Sequence, residues 1–516
     1  MNIPILNSIF SYLQGDGAVI LPEIQLTLFG LGILLIGFSV DESVENNWFW
    51  RLFFKDFSAK AAFAGVLFSG LSLWKLRGRV AGNGTLAGFH DSVVVDGFLI
   101  FFAALFLAAT ALVILLSVKY LEIEREQEGE YYALLLFACV GMMLMASGVD
   151  LIVMFLGLET MALSFYVLTG FLRREKRSNE AALKYVLLGA FSSGILAYGF
   201  SLLYGLSALA QSQMRPSTNI LQISAALGTR LQMSVRSGSA DWLAILAFVT
   251  VIVGLLFKVG AVPFHQWAPD VYEGAPTPIS AYVSIASKTA SFALLLRLMF
   301  VFGSYHVAWM YLVAGVAVAS LTWGNLAALT QTNIKRLLAY SSISHVGYIL
   351  LGLVAGNETG LVGIAYYLFA YVFMTAGAFA VIIVLRQKGL IGEELEDLNG
   401  LYQRSPAAAV LLLIFMLSLA GIPPTAGFMG KYFIFLSLIE SKHPVLAVFA
   451  VLYIVPALYY YFRIIVHAWL KQPGEAPRPL MTNAQAVALG VTVFVTLAAG
   501  LYPEPFTKLA HYAFGL

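Results

Sequence analysis

Long apolar stretches separated by short polar segments occupy nearly the whole chain. A membrane-spanning helix needs about 20 mostly apolar residues, and the 516-residue sequence contains about fourteen such stretches. The predicted spans lie near 18–39, 60–77, 93–118, 131–147, 150–170, 180–207, 242–262, 277–303, 307–323, 338–354, 360–386, 405–440, 444–469 and 484–503. The pattern therefore predicts an all-α, polytopic membrane protein.

Glycine and proline interrupt two of these spans. The seventh span contains Gly260–Pro263, and the twelfth contains Gly421–Pro424. Proline lacks a backbone N–H and clashes with the preceding helical turn, and a lipid bilayer tolerates the freed backbone groups only beside protein or a cavity. Interrupted helices in corresponding halves of a transporter indicate its working site. We therefore predict that both helices are broken at these positions.

The spacing of the two interruptions predicts an internal repeat. Lys258 lies 127 residues after Tyr131, where the fourth span begins, and Lys431 lies 125 residues after His306, just before the ninth span. Each unit then holds five helices, and because five is odd the second unit must be inverted relative to the first. The expected domains are N-terminal helices over 1–130, a first repeat over 131–305, an inverted second repeat over 306–470 and a last helix over 471–516.

The distribution of lysine and arginine predicts the orientation, because cytoplasmic loops carry an excess of both. With the N-terminus outside, sixteen of these residues fall in inner loops and eight in outer segments. The cluster at Arg173–Arg177 is the sharpest part of this bias. Both termini are therefore expected outside, and the polar segment from Gln211 to Asp241 is predicted to be an external loop.

Composition restricts the chemistry that the chain can perform by itself. Apolar residues make up 60% of the chain and charged residues 11%, compared with about 25% charged residues in soluble domains. The net charge of +2 is spread along the chain, so no basic face for nucleic acid is expected. The only cysteine is Cys139, and the seven histidines lack ligand spacing. We expect no metal, cofactor or redox centre on this chain.

Few charged residues fall inside the predicted spans, and each needs an explanation. A charge at the centre of a bilayer costs at least about 2.5–3.5 kcal/mol on insertion scales, so it must face a cavity or a partner. Arg297 and Arg463 are interpreted as snorkelling side chains or structural pairs. The charges with the strongest functional interpretation are Glu159, Lys258, Lys288 and Lys431, with Lys184 as a weaker candidate.

Lysine and glutamate in this setting suit proton transport. Burial disfavours the charged form of lysine and a nearby carboxylate restores it, so a pair of Glu159 and Lys258 can load and release a proton. His265 and His345 titrate near neutral pH and could bridge gaps through water, although each could equally be an ordinary packing residue. Asp270 and Glu273, on a predicted inner loop without a basic residue, are either a solvated turn or a proton entrance.

Three long motifs resemble the antiporter-like subunits of complex I, the proton-pumping NADH:quinone oxidoreductase. They are KVGAVPFHQWAPDVYEGAPTP at 258–278, NIKRLLAYSSISHVGY at 333–348 and GIPPTAGFMGK at 421–431. Within this family the chain is most similar to subunit N. Lys431 stands where subunit M usually carries a glutamate, and no C-terminal stretch resembles the lateral helix of subunit L.

The resemblance implies roles for individual residues. Glu159 matches the glutamate that pairs with the seventh-helix lysine, Lys258. Lys288 matches the connecting lysine of the eighth helix, and Lys431 the lysine of the outer, exit half-channel. Lys184 and His265 match positions on the polar axis.

The resemblance also implies where the redox chemistry and the partners lie. Quinone reduction in other subunits would drive proton movement here, and NADH, FMN, iron–sulfur clusters and quinone would be bound by those subunits. The expected partners are subunit M, the small hydrophobic subunits and the lipid bilayer, in the inner membrane of a bacterium. Two alternatives stay open. One is a subunit of a multi-subunit Na⁺/H⁺ antiporter or membrane-bound hydrogenase, and the other is an assembly scaffold whose lysines merely pair.

Overall fold

The computed structural model describes residues 15–40, 56–209, 216–238, 241–386, 392–473 and 479–516. The helices are α1 (Asp16–Val19), α2 (Leu21–Val40), α3 (Phe57–Asn83), α4 (Gly97–Glu124), α5 (Glu128–Ser147), α6 (Leu151–Thr169), α7 (Lys176–Leu209), α8 (Ile220–Ser237), α9 (Trp242–Val259), α10 (Trp267–Gly274), α11 (Thr277–Tyr282), α12 (Lys288–Val301), α13 (His306–Ala328), α14 (Ile334–Ala355), α15 (Glu358–Leu385), α16 (Leu401–Arg404), α17 (Pro406–Ala420), α18 (Ala426–Glu440), α19 (Pro444–Leu452), α20 (Ile454–Leu470), α21 (Asn483–Leu501) and α22 (Glu504–Phe514). Two short antiparallel strands, β1 (Leu86–Gly88) and β2 (Val93–Val95), form a hairpin with Leu86 opposite Val95.

Twelve helices of the described residues are long and apolar enough to cross a membrane. Two shorter apolar helices, over Leu21–Ile36 and Pro406–Ala420, coincide with the first predicted span and with the beginning of the twelfth. The prediction of an all-α, polytopic membrane protein is therefore confirmed. The exact count of fourteen and the inverted repeat stay predictions, as do the domain boundaries.

The centre of the bundle is formed by helices that are buried on all sides. The span over Thr277–Val301 is completely buried in its most apolar window, and α14 and α15 are 94% buried, whereas the span over Pro444–Leu470 is only 28% buried. A helix that is apolar all round belongs in the interior. The central helices therefore see mainly protein, and any charge they carry must find a partner there.

Both predicted breaks are confirmed. α9 ends where Gly260 adopts a left-handed conformation with φ of +76°, and α10 starts at Trp267. α17 ends in the same way at Gly421, with φ of +86°, and α18 starts at Ala426. Glycine reaches this conformation without the steric cost of a Cβ atom, which explains why a glycine stands at each break.

A third irregularity lies in the buried span over Thr277–Val301. Between α11 and α12 the backbone forms a single π-helical turn over Val283–Ser287. Lys288 is the first residue after this turn. Such widened turns are frequent at functional sites, and the sequence pattern did not predict it.

The polar segment predicted as an external loop contains a helix. α8 buries its apolar face through Ile220, Ile223 and Leu227, and its Arg230 donates two hydrogen bonds of 2.8 Å to Asp241. These bonds hold the pKa of Asp241 below its usual value. The sequence did not predict this helix, because the polar face of α8 hides a helical repeat of apolar residues, and the external location of the segment stays a prediction.

The orientation stays a prediction. Five of the basic residues that enter it, Arg51, Lys55, Arg215, Lys388 and Arg478, lie outside the described residues. We call the end of the bundle that carries Arg173–Arg177 the predicted inner face.

Glycines allow two pairs of helices to cross at close range. A Cβ atom on Gly157 of α6 would lie 2.8 Å from the backbone nitrogen of Met145 and 2.9 Å from the carbonyl oxygen of Gly141, both on α5. A Cβ atom on Gly324 of α13 would lie 2.6 Å from the backbone nitrogen of Ser344 on α14. Small residues let membrane helices approach closely. These crossings position α6 and α14, which carry candidate functional residues.

We expect Gly157→Ala to lower the thermal stability of the purified protein by about 1–3 kcal/mol, the usual cost of overpacking. The reason is that the new methyl group meets backbone atoms, which cannot rotate away. Gly70→Ala is the control, because a Cβ atom there meets nothing within 4 Å and alanine favours helix. Thermal unfolding in detergent measures both variants, and equal midpoints would contradict the close crossing.

Candidate functional site

Lys258, Lys288 and Lys431 are three of the four lysines that are buried among the described residues. Lys258 is 5% exposed, and Lys288 and Lys431 are each 2% exposed. In the part of the chain that the structure describes, none of them has a carboxylate within 4.0 Å. A buried ammonium group without a counter-ion is costly, so the contacts of each one are informative.

Lys258 lies in the last turn of α9, next to a group of aromatic rings. Its ammonium nitrogen is 5.9 Å from the ring centre of Tyr166, close enough for a cation–π interaction. The Tyr166 ring lies 4.8 Å from that of Tyr185, which stacks at 4.8 Å on Trp267. Trp267 donates a 2.9 Å hydrogen bond to the carbonyl oxygen of Phe257. The first break is thus braced by rings from α6, α7 and α10.

Glu159 lies in the same region but does not close an ion pair with Lys258. It stands on α6, seven residues before Tyr166 and therefore on the same helical face. Its charge acts on Lys258, while its Oε1 atom is buried without a hydrogen-bond partner among the described residues. The Tyr166 hydroxyl is also buried without a partner there. The pairing of Glu159 with Lys258 stays a prediction, because no ion pair joins them within 4.0 Å among the described residues.

Lys288 joins the first break to the second half of the chain. Its ammonium group donates a 2.5 Å hydrogen bond to Ser342 of α14 and lies 5.7 Å from the ring centre of Tyr272. A Cβ atom on Gly260 would be only 3.7 Å from the Lys288 nitrogen. Lys288 therefore reaches from the π-helical turn to the broken end of α9 and across to α14.

His345 is held between two phenol groups. Its Nδ1 lies 2.7 Å from the Tyr367 hydroxyl and its Nε2 lies 3.1 Å from the Tyr461 hydroxyl, and Tyr461 also bonds to Ser341. A neutral imidazole donates at one nitrogen and accepts at the other, so one phenol must accept and the other must donate. Lys288 bonds to Ser342, three residues before His345, and Lys431 lies over the ring of Tyr348, three residues after it, so His345 lies between the contacts of the two lysines along α14.

Lys431 is held by the end of the broken helix itself. Its ammonium group donates to the carbonyl oxygens of Leu419 at 3.2 Å and Ala420 at 2.7 Å, and it lies 5.0 Å from the ring centre of Tyr348. The last carbonyls of a helix have no partner within it, and they form the negative end of its dipole. The break in the twelfth predicted span therefore supplies the partner for the buried lysine.

His265 lies at the first break but turns away from the lysines. Its ring packs against Trp323 of α13, with the ring centres 5.9 Å apart. No hydrogen bond joins it to Lys258 or Lys288 among the described residues. The structure therefore brings Lys258, Lys288, His345 and Lys431 into one row and leaves His265 beside it.

Lys184 belongs to a charged cluster at the predicted inner face. It forms ion pairs with Glu180 at 2.7 Å and Asp270 at 2.9 Å. Asp270 and Glu273 both accept from Arg336, each at 2.9 Å. These side chains line a cavity of roughly 220 Å³. Asp270 and Glu273 lie on the short helix α10, which carries no basic residue of its own, and α14 brings Arg336 to both of them.

The cluster stays charged at neutral pH. Burial alone would raise the pKa of Asp270, but hydrogen bonds from Lys184 and Arg336 outweigh it and hold this pKa below its usual value. The stability that these pairs contribute is present above the unfolded-state pKa of the carboxyl and is lost as the pH falls through the lower folded-state pKa. The cluster is therefore intact over the physiological range.

Lys335, counted in the sequence as an inner-loop residue, is a buried residue in the first turn of α14. It donates to Glu393 at 2.8 Å and to the carbonyl oxygen of Ala275 at 2.7 Å. Lys335 and Arg336 are cations at a helix N-terminus, where the dipole disfavours positive charge. That mismatch is the sequence signal that could have indicated acidic partners.

Arg297 and Arg463 have structural partners, as the sequence predicted. Arg297 pairs with Asp96 at 2.8 Å and donates to the carbonyl oxygen of Ala146 at 3.0 Å. Arg463 donates to the carbonyl oxygen of Leu329 at 2.7 Å. Neither of them touches the row of lysines.

The sequence reasoning missed the hydroxyl groups of the row. Serine and tyrosine are common in membrane helices, so Tyr367 and Tyr461 gave no signal. The signal that did exist was the helical spacing of Ser341, His345 and Tyr348 on α14, four and seven residues apart on one face.

Three comparisons place the chain among known proteins. The family model "NADH:quinone oxidoreductase/Mrp antiporter, TM" matches residues 148–455. NADH-quinone oxidoreductase subunit N 2 of Solibacter usitatus is 51% identical over 503 residues, which is 97% of each chain. A chain of respiratory complex I from Thermus thermophilus superposes with a TM-score of 0.75 at 31% identity, covering 94% of this chain and 98% of that one.

A chain of the Mrp complex from a Dietzia species has the same fold. It superposes with a TM-score of 0.80 at 21% identity and covers 95% of this chain and 96% of that one. At this identity the likeness concerns the fold alone.

We expect Tyr461→Phe to lower proton transport by about tenfold, equivalent to about 1.4 kcal/mol, because it removes the hydrogen bond to His345. The control is Tyr366→Phe, which removes a 2.5 Å hydrogen bond to the carbonyl oxygen of Ala499 away from the row and should leave transport near the wild-type rate. Proton transport in sealed vesicles measures both. Equal rates for the two variants would exclude Tyr461 from the pathway.

Proposed function

The chain belongs to the subunit N family of NADH-quinone oxidoreductase, and from that premise we propose that Glu159, Lys258, Lys288, His345 and Lys431 carry the protons. The observation that supports this proposal is the row of three buried ammonium groups without carboxylate partners. Charged side chains that have only a structural role inside a membrane normally form ion pairs with one another, as Arg297 does with Asp96. Lysines that are held by hydroxyl groups, carbonyl groups and aromatic rings instead suit groups that gain and lose a proton.

The first step of the proposed pathway is the uptake and release of a proton by Lys258. The charge of Glu159 favours the protonated lysine, whereas the surrounding rings of Tyr166 and Tyr185 keep the group out of bulk water. A change in the distance between Glu159 and Lys258 alters the balance between the two protonation states. Because no ion pair closes between them, a small movement suffices to change this balance.

The second step carries the proton along α14. Lys288 donates to Ser342. The preceding residue, Ser341, forms a hydrogen bond with Tyr461. Tyr461 and Tyr367 occupy the two nitrogens of His345, so the imidazole accepts a proton at one nitrogen and releases one from the other. The order of groups supports transfer from Lys288 through His345 towards Lys431.

The third step is release at Lys431. The carbonyl groups of Leu419 and Ala420 favour the charged lysine, and movement of the broken helix end would withdraw them. We assign Lys258 to an inner half-channel within 131–305 and Lys431 to an outer half-channel within 306–470. The cluster of Lys184, Asp270 and Arg336 would form the inner mouth, with His265 as a secondary site.

We further propose the setting in which this pathway operates. Both termini lie outside, in the inner membrane of a bacterium, and the neighbours are subunit M and the small hydrophobic subunits. NADH, FMN, iron–sulfur clusters and quinone are bound by other subunits, whose redox reaction drives the protons. Relatives named subunit N support this assignment over a Na⁺/H⁺ antiporter or hydrogenase subunit, for which the support is a shared fold.

We expect Glu159→Gln to lower NADH-driven proton pumping at least about fivefold, the low end of coupling between interacting sites, with assembly near normal. The variant keeps the shape of the side chain and removes the charge that acts on Lys258. Glu358→Gln, at an exposed helix start, is the control. Pumping in sealed vesicles and the amount of assembled complex are measured together. Full pumping by Glu159→Gln would favour the scaffold hypothesis.

We expect Lys431→Arg to reduce the number of protons pumped per NADH. Arginine can bond to the carbonyl groups that hold Lys431, but it hardly deprotonates at any physiological pH and so cannot release the proton. Lys442→Arg, on an exposed turn, should keep the wild-type ratio. Reconstituted vesicles with a pH-sensitive dye provide the measurement. A wild-type ratio in Lys431→Arg would rule Lys431 out as a proton carrier.

A further inference from the structure

A buried carboxyl group lies outside the row of lysines, in the first turn of α2. Glu23 is 4% exposed, and both of its carboxyl oxygens are buried without a hydrogen-bond partner among the described residues. The rest of this helix is almost entirely apolar. A carboxyl group in this position needs a physical explanation.

The side chain faces the protein and not the lipid. Leu26 and Ile33, which follow Glu23 by three and ten residues on the same face, are buried at 0% and 2% exposure. Leu28 and Leu35 on the other face are exposed. The buried face of α2 packs against α3 and α5, so these helices form the surroundings of the carboxyl group.

The nearby hydroxyl groups are engaged elsewhere. Thr27 donates to the backbone carbonyl of Glu23 at 2.8 Å, and Ser69 of α3 donates to the carbonyl of Pro22 at 3.1 Å. Each hydroxyl has one proton to donate, and these two protons go to backbone oxygens. Neither side chain therefore stabilises a carboxylate.

The charged neighbours do not compensate the carboxyl group either. Among the described residues Glu23 has no ion pair, and Arg77 of α3 instead lies over the rings of Trp74 and Tyr512, at 5.2 and 5.8 Å. The titratable group that α5 brings near is the buried thiol of Cys139, which is electrostatically coupled to Glu23. A thiol offers no positive charge.

Among the described residues a carboxylate here would be unpaired, and the backbone N–H of Glu23 itself would be its one hydrogen-bond donor, so its burial is costly. The N-terminus of α2 favours negative charge through its dipole, but that effect is small compared with the cost of burying an unpaired ion. We propose that Glu23 is a proton-binding site separate from the row of lysines: it holds one proton, taken up from water, and is uncharged in the assembled protein. This proposal does not rest on the proposed pathway.

Infrared spectroscopy of the assembled complex at neutral pH tests this directly, because a protonated carboxyl group and a carboxylate absorb at different frequencies. We expect Glu23→Gln to remove one protonated-carboxyl band and leave assembly unchanged, because glutamine has the shape of the neutral acid. Glu504→Gln is the control. Lys508, at 2.7 Å, holds the pKa of Glu504 below its usual value, so this variant should remove only carboxylate absorption.

Two results would overturn the proposal. The first is loss of carboxylate absorption in Glu23→Gln, which would show that Glu23 is ionised. The second is failure of Glu23→Gln to assemble while Glu504→Gln assembles, because a neutral isostere should be tolerated where the native group is neutral. Neither result bears on pumping by the Lys431 variants, so the two proposals fail independently.

Discussion

The hydrogen bonds from Lys431 to the last carbonyls of α17 join the two unusual features of this protein, a broken membrane helix and a buried charge. In lipid an unpaired carbonyl and an unpaired ammonium group are each costly. When the ammonium group donates hydrogen bonds to the free carbonyls, both groups gain a partner. The broken helix end and the buried lysine therefore stabilise each other. The same logic operates less tightly at the first break, where Lys288 reaches the turn at Gly260. A partner made of backbone dipoles favours the charged lysine without the permanence of a carboxylate, which suits a group that must also lose its proton.

The helix α14 connects the charged cluster at the predicted inner face to the residues near these breaks. Its first turn holds Lys335 and Arg336 on acidic side chains at the predicted inner face, and its middle carries Ser342 and His345. It is buried nearly all round and crosses α13 through glycines at close range. A packed, rigid helix of this kind transmits displacement because interiors are not compressible. The inner cluster and the row of lysines therefore both contact the same packed helix, α14, so a change of charge in either one acts on it.

Much of this architecture was predictable, because the bilayer imposes simple rules. The helices follow from runs of apolar residues, and the breaks follow from Gly260–Pro263 and Gly421–Pro424. The prediction that Lys258, Lys288 and Lys431 need a partner or a cavity follows from the cost of a buried charge. The helix α8 was missed because its amphipathic pattern lies in a polar segment, and the π-helical turn before Lys288 was missed because no residue type demands one.

The sequence by itself determined which segments enter the membrane, where two of them break and which charges need a partner, since these depend on local composition and on the covalent properties of proline and glycine. Only the tertiary structure decided what the partners are. The carbonyls that hold Lys431 lie 11 and 12 residues before it, across the break. Ser342 lies 54 residues from Lys288, and Tyr461 lies 116 residues from His345. Serine, tyrosine and backbone groups are too common to be recognised as partners beforehand. The absence of an ion pair between Glu159 and Lys258 was also decided there, because α6 and α9 each pack against α7 and this helix sets the distance between them.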